Sequence, residues 1–449
     1  MRVALHPAGR VSQVVSSAAE RQAAYDFLES GDVAAQAILC AVVLACVMRA
    51  EAFPFVFAPV DGSSLNLKDH GKRKNFGSIG SRERGARGLK MINGLAVSPQ
   101  GLPLGLLTQV WWARGPKNKK PRAARDVQDK ETRYWLQAID QCAQAVGKLA
   151  VPLILWYQLD REGDSWPVLH ELVDSGHLFT VRSAHNRRLQ VNAAASPQHL
   201  RESLLRSKPV GSYKLQVGAG HKRAARTANM VVRVGSVTLR MRDRRSGAYR
   251  NLAVNVVLAV EKGTTPKGEK PLDWCLLTNH SIDTFDKACL VIFGYSQRWR
   301  VEDFHRTWKR GGCNVEDTQL HESDHVIKWA TILAANAMRI ERLKYLSRQS
   351  PQLPATVELS RYEIQALILL KRKQKKRTEQ VPNTMPAIGQ ATIWIAELGG
   401  YTGKSSGGPP GSITIGRGLE KVRAAADVLE MLGIKRLPPE RENNDRKRS

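Results

Sequence analysis

Apolar residues recur along the chain at helical, then alternating, then again helical intervals, and each change of interval marks an element. From residue 18 to 51 the spacing is helical, with Gly31-Asp32 as the break between two short helices. The longest apolar run, residues 37–48 (AILCAVVLACVM), is shorter than the roughly 20 residues of a membrane-spanning helix, so it predicts a buried one. Residues 56–60 predict a strand ending at the turn Asp61-Gly62-Ser63-Ser64. After a basic loop (68–87), residues 89–97 and 104–112 predict a hairpin closed by Ser98-Pro99-Gln100-Gly101. A second basic loop (117–125) and a helix over 132–149 lead into the apolar strand 151–159, which Asp160 closes.

Beyond residue 178 alternation takes over in five segments, FTVRS, YKLQV, MVVRVGSVTLRMR, LAVNVVLAV and WCLLT, which predict an inserted β subdomain. Helical spacing returns over 282–345. The basic run 371–377 (KRKQKKR) reads equally as a solvated face or linker and as a DNA contact. A Gly/Pro/Ser-rich loop (401–411) precedes an amphipathic helix over 417–432, and the charged end, 438–449, has the composition of a disordered tail. The expected organisation is a helical N-terminal part (1–55), the first part of an α/β core (56–177), an all-β insertion (178–279), a helical completion of the core (280–346) and a C-terminal helical region with a basic tail (347–449).

Charge narrows the partners. The 449 residues include 69 Lys and Arg against 41 acidic residues, a formal charge of +28, and such an excess attracts polyanions. Nucleic acid comes first, while a ribosome-associated or membrane-surface protein stays open on charge alone. The six cysteines show no C-x-x-C spacing, so neither a zinc site nor a disulfide framework is indicated, which suits a reducing cytoplasm. The start, Met1-Arg2-Val3-Ala4, has no signal-peptide pattern.

Three carboxylates carry candidate chemistry. Tyr295, Arg298, Glu302 and Lys309 recur at spacings of three, four and seven, which puts them along one helix face opposite the apolar stripe Val301, Phe304 and Trp308. Taken alone, Arg298 and Glu302 also read as an i,i+4 surface ion pair. Asp61 and Asp160 each stand where an apolar strand gives way to a turn, the kind of place that displays functional side chains. Asp61 reads alternatively as a turn residue before Gly62, and Asp160 as a cap of the helix over 164–172. If the two strands are neighbours and the Glu302 helix packs across them, the carboxylates converge into a hard-oxygen site for Mg²⁺ or Mn²⁺. Two ions about 3.5–4 Å apart in such a site serve phosphoryl displacement.

These residues resemble those of bacterial DDE transposases of the insertion-sequence-4 class. The family's tyrosine–arginine–glutamate–lysine helix appears as YSQRWRVEDFHRTWK, from Tyr295 to Lys309, and its second-aspartate motif as Asp160-Arg161-Glu162-Gly163-Asp164. Its first aspartate motif appears as Asp61-Gly62-Ser63-Ser64-Leu65, followed by Gly77-Ser78-Ile79-Gly80 and the strand leading to Trp111-Trp112. The segment Gly399-Gly400-Tyr401-Thr402-Gly403-Lys404 matches the family's C-terminal region, and the resemblance covers most of residues 18–432.

The resemblance implies a ribonuclease-H-like mixed sheet flanked by helices and interrupted by the β insertion, with helical N- and C-terminal parts. It implies catalytic and metal-holding roles for Asp61, Asp160 and Glu302 with Mg²⁺, or Mn²⁺ in its place, and cut-and-paste transposition through a hairpin intermediate. Tyr295, Arg298, Trp299, Arg306 and Lys309 would contact DNA, Trp274 would stack on a flipped-out base, and Arg182 would lie near the same DNA end. Trp274 also reads as core packing, and Arg182 as a charge on a wet sheet face. The partners implied are double-stranded DNA at transposon ends and target, and a second copy of the chain, with 417–432 a candidate interface; the location is cytoplasmic, on the nucleoid, with no membrane. Two departures stand out. Residues 1–17 carry no match to the family's preceding DNA-recognition segment, which implies a truncated recognition region, and Gln158-Leu159 replaces small or apolar residues before Asp160. The rival functions are a catalytically silent remnant that binds DNA and blocks full-length enzyme, and a general nuclease on the same fold.

Overall fold

The computed structural model describes residues 8–15, 17–69, 74–80, 85–115, 125–147, 149–190, 198–220, 223–242, 248–375, 379–382, 384–403 and 407–434. Most of the second basic loop, residues 376–377 of the basic run, Lys404 and the tail 438–449 lie outside them. The first elements in chain order are α1 (Val11–Val14), α2 (Ala18–Glu29), α3 (Ala35–Ala50), β1 (Phe55–Asn66), β2 (Gly77–Ser78), β3 (Arg87–Val97) and β4 (Pro103–Trp112). Next come α4 (Thr132–Val146), β5 (Ile154–Leu159), α5 (Trp166–Asp174), β6 (Leu178–Arg182), α6 (Leu200–Arg206), β7 (Gly211–Val217), β8 (Arg226–Arg242), β9 (Tyr249–Lys262) and β10 (Asp273–Thr278). The remainder is helical: α7 (Phe285–Ser296), α8 (Trp299–Arg306), α9 (Ser323–Gln349), α10 (Arg361–Gln374), α11 (Ile388–Leu398) and α12 (Ser412–Met431).

The chain forms two compact units. One holds Val43–Ser63 and Met91–Glu302 and is an α/β unit built on a mixed sheet flanked by helices. Its strand order is β3-β1-β5-β6-β10-β9-β8-β7, with β4 on β3. β1, β5 and β6 are parallel neighbours, and from β6 through β10, β9, β8 and β7 every pairing is antiparallel. Residues 178–279, expected as an all-β insertion, therefore continue the same hydrogen-bonded sheet, and their described residues include a helix, α6. Each face has its own core, because alternate strand side chains point to opposite sides. Val56, Ala58, Leu155, Tyr157 and Leu159 pack with α4 and α5; Phe57, Trp156, Val257 and Leu276 pack with α7.

Two elements differ from their sequence expectation here. β1 does not end at Val60 but runs to Asn66, so Asp61 is a strand residue and not a turn residue. Its long neighbour β3 keeps the polar DGSS stretch in the ladder, with those four residues half-buried. The apolar helix α3 is not buried all round: Cys46, Val47 and Ala50 are in the core, while Leu44 and Met48 are 61% and 65% exposed.

The second unit comprises Met1–Val42, Ser64–Lys90 and Asp303–Ser449. Its centre is the long α9, whose Val326, Trp329, Leu333, Ala337, Ile340 and Leu343 are buried. Charges are buried here too. Arg339 and Arg342 hold Glu358 at 3.2 and 2.6 Å, and Arg339 holds Glu363 at 2.7 Å. Lys371, from the basic run, is not on a solvated face: its side chain is buried and bound to Glu397 at 2.6 Å and Glu379 at 2.9 Å. Among the described residues, no helix is long and apolar enough to cross a membrane.

Candidate active site

The two aspartates meet through strand register. On β1, Asp61 continues the row of Phe57, and on β5, Asp160 follows the row of Trp156 and Gln158, so both belong to the sheet face that α7 covers. The strands pair in parallel from Phe55↔Ile154 to Pro59↔Gln158, and the same offset carried two residues on sets Asp61 against Asp160. Neighbouring strands lie about 4.8 Å apart, so the carboxylates of such a pair share one small space.

α7 lies close over this face because residue 294 is glycine. A Cβ there would stand 2.6 Å from the Phe57 ring and 3.2 Å from Gln158 Nε2, which no side chain tolerates without displacing the helix. The polar Gln158, unexpected before Asp160, thus fills the space beneath a helix that carries no side chain at that point. After α7 the chain tightens: Arg298 N–H donates to Tyr295 at 3.1 Å and Val301 N–H to Arg298 at 3.2 Å, both i→i+3. Tyr295, Arg298, Glu302 and Lys309 therefore do not share one continuous α-helix. Tyr295 belongs to α7, Arg298 to the intervening turn, Glu302 to the first turn of α8, and Lys309 to a π-helical segment, Thr307–Gly311.

That turn delivers Arg298 between two carboxylates. One guanidinium nitrogen donates to Asp61 Oδ2 at 3.1 Å and the other to Glu302 Oε1 at 2.6 Å, with the arginine 7% exposed. The i,i+4 ion pair is present, yet it is half of a larger arrangement that reaches across to β1. Burial pushes the Asp61 carboxyl up to about 7; Arg298 and the Gly62 N–H oppose this, and the charges of Asp160 and Glu302 add to it. Three carboxylates thus bear on one another with a single guanidinium among them. An all-oxygen donor set short of positive charge suits Mg²⁺ or Mn²⁺. Among the described residues no three such side chains already form a metal cage, and Asp61 and Glu302 are bound to separate nitrogens of Arg298.

No protein-family model matches this chain.

The Asp160 turn has its own anchor. Asp160 Oδ1 accepts the Glu162 N–H at 2.7 Å and so caps the short 3₁₀ turn Arg161–Gly163, not α5, whose cap position is Ser165. Gly163 lets that turn fold back on its strand, because a Cβ would stand 2.7 Å from Leu159 Cβ. Asp164, singled out only as part of the motif, is buried and accepts from Arg187 Nε at 2.8 Å, Ala184 N–H at 2.7 Å and Ser183 Oγ at 3.2 Å. It ties the loop after β6 to the turn that presents Asp160. An aspartate four residues after another was the signal available, but its partners become visible only in the fold.

Trp274 and Tyr295 form an edge-to-face pair 5.8 Å apart, Trp274 half-buried against the α7-side core and Tyr295 buried. Arg182 is half-buried, donating to the Asp273 carbonyl at 2.9 Å, and it also hydrogen-bonds Tyr295. The core-packing reading of Trp274 thus holds in part, with the ring only partly covered. Trp299 is 56% exposed, with the Arg298 guanidinium 5.3 Å over its ring. In the second unit, Arg306 is exposed and paired with Asp303 at 3.1 Å, and Lys309 is half-buried. His305 there is fully desolvated and, with Lys309 nearby, is pushed down to about 3, so it is neutral.

Proposed function

We propose that the protein is a DNA transposase that cuts and rejoins DNA through a divalent-metal site of Asp61, Asp160 and Glu302. One observation carries the reading: Asp61 and Asp160 each stand two residues beyond the last paired positions, Pro59 and Gln158, of adjacent parallel strands, and Arg298 joins Asp61 to Glu302. The mixed sheet is read as a ribonuclease-H-like core, and the antiparallel strands β7 to β10 within residues 178–279 as the family's β insertion.

Asp61, Asp160 and Glu302 would hold Mg²⁺, or Mn²⁺ in its place. When bound, the ions would activate a water or a 3′-hydroxyl and stabilise the leaving oxygen of an in-line displacement. The residues around them have separate tasks. Asp164 and Gly163 fix the turn that presents Asp160. Arg298 keeps two mutually repelling carboxylates together, and its guanidinium is of the type that would meet a phosphate. The edge-to-face pair of Trp274 and Tyr295 offers a platform for an extruded base, with Arg182 beside it. Trp299, Arg306 and Lys309 would contact DNA, and paired ends imply a second copy of the chain.

The test is nicking of duplex DNA by purified protein with Mg²⁺ or Mn²⁺. Asp61→Ala, Asp160→Ala and Glu302→Ala should each abolish nicking and leave DNA binding intact. Wild-type nicking in any of the three variants removes that residue from the site.

A further inference from the structure

The long β8–β9 ribbon carries a second charged surface, at the end of the sheet away from the carboxylates. Its register places Arg242 opposite Tyr249 and Arg240 opposite Asn251. On the other side of β8, Leu189 bridges Leu239 and Arg240 N–H donates to the Arg188 carbonyl at 3.0 Å, which sets Arg188 opposite Arg240. Leu189, Leu239, Met241 and Leu252 point into the core, so Arg188, Arg240, Arg242 and Tyr249 stand together on the opposite face, all exposed. The guanidiniums of Arg240 and Arg242 lie 4.4 and 5.6 Å from the centre of the Tyr249 ring, which is 53% exposed.

This grouping is costly for the isolated protein. Arginines directly opposite each other across a ladder repel, and the described residues of the three segments (186–190, 234–242 and 248–255) include no carboxylate. An anion relieves that repulsion. Guanidiniums stacked on an aromatic ring keep their N–H edges free and pre-oriented for phosphate, and a two-stranded ribbon is of a size to lie in a duplex groove. Position adds the scale. Trp274 is paired with Ala259, and Tyr249 lies ten residues further along β9, about 34 Å at strand rise. That is close to one helical turn of duplex, about 34–36 Å.

We propose that Arg188, Arg240, Arg242 and Tyr249 form a second docking surface for double-stranded DNA, gripping backbone phosphates about one helical turn from Trp274. The proposal rests on the DNA-processing reading above.

The experiment compares wild type with the triple variant Arg188→Gln, Arg240→Gln, Arg242→Gln, measuring affinity for a duplex of two or more turns across a salt series without divalent metal. Three lost phosphate contacts should reduce the slope of log K against log salt by about 3. A hydroxyl-radical footprint should lose one protected patch while keeping another about a turn away. Tyr249→Leu, which leaves the charges but removes their platform, should give a smaller affinity loss at an unchanged slope. Thermal unfolding without DNA should put the triple variant at or above wild type, since repulsion is removed. An unchanged slope and footprint in a folded triple variant overturns the surface and leaves the transposase reading standing. Failure of wild type to bind any duplex overturns both, and arginine-dependent binding to anionic vesicles in that case assigns the surface to membranes.

Discussion

Replacing Asp61 with Asn should make the metal-free protein more stable than wild type at pH 8. The Asp61 carboxyl is held at about 7 in the folded protein against an ordinary value of 3.8. A proton bound more tightly in the folded state than in the unfolded one favours folding while it is bound. That advantage is complete below 3.8 and shrinks as pH rises, and above 7 the folded chain bears the whole cost of a buried charge. A gap of about three pK units corresponds to roughly 4 kcal/mol. Asn imitates the protonated acid, so at pH 8 with chelator the variant should gain up to roughly 4 kcal/mol, and at pH 4 the two should be nearly equal. Urea unfolding at both pH values gives the difference directly, read from midpoints at constant m. Divalent metal should then stabilise wild type at pH 8, by about 2.7 kcal/mol at a hundredfold excess over its Kd, and leave the variant unmoved. An Asn variant less stable than wild type at pH 8, or a difference independent of pH, refutes the reasoning.

Asp164→Ala leaves the half-buried Arg187, the Ala184 N–H and the Ser183 hydroxyl without their buried acceptor and should cost about 1–3 kcal/mol, with nicking falling further than stability because the Asp160 turn loses its anchor; chemical unfolding beside nicking rates checks both. Gly294→Ala should cost about 1–3 kcal/mol by forcing α7 off Phe57, measurable as a lower urea midpoint, and an unchanged midpoint would contradict the close packing. Burial alone would raise the Glu363 carboxyl, but Arg339 overrides it and holds the group down at about 2 against 4.5. Its contribution is therefore full above pH 4.5 and lost as pH falls towards 2, so Glu363→Gln should cost about 3 kcal/mol at pH 7 and much less at pH 2.5 in denaturant titrations.

Much of the local structure was legible because its causes are local. The break at Gly31-Asp32, the β3–β4 hairpin closed by Ser98 and Gly101, and the five strands beyond residue 178 follow from spacing and turn chemistry. What depended on distant partners was not. The polar DGSS stretch reads as a turn, yet β3 holds it in a strand, and the parallel pairing that brings Asp61 to Asp160 joins segments separated by a hairpin and a helix. Only half of Arg298's role, the i,i+4 pair with Glu302, could be read from spacing; its bond to Asp61 joins residues 237 positions apart in the chain. The helix expected to run straight to Lys309 changes to π-helical geometry at Thr307, whose hydroxyl is taken by Glu341 and Ser412, residues far along the chain. Lys371 looked like part of a solvated run because the acids that bury it, Glu379 and Glu397, come later in the sequence.

The central claim is that this carboxylate site cuts DNA at a defined end. The direct measurement incubates purified protein and Mg²⁺ or Mn²⁺ with a duplex carrying the element's own end, beside a scrambled duplex, and maps nicks on each strand. Strand-specific nicks on the end duplex alone, absent from Asp61→Ala, Asp160→Ala and Glu302→Ala, are the predicted result. Binding without cleavage in either metal contradicts the account and identifies a silent DNA-binding remnant, and equal cutting of both duplexes identifies a general nuclease.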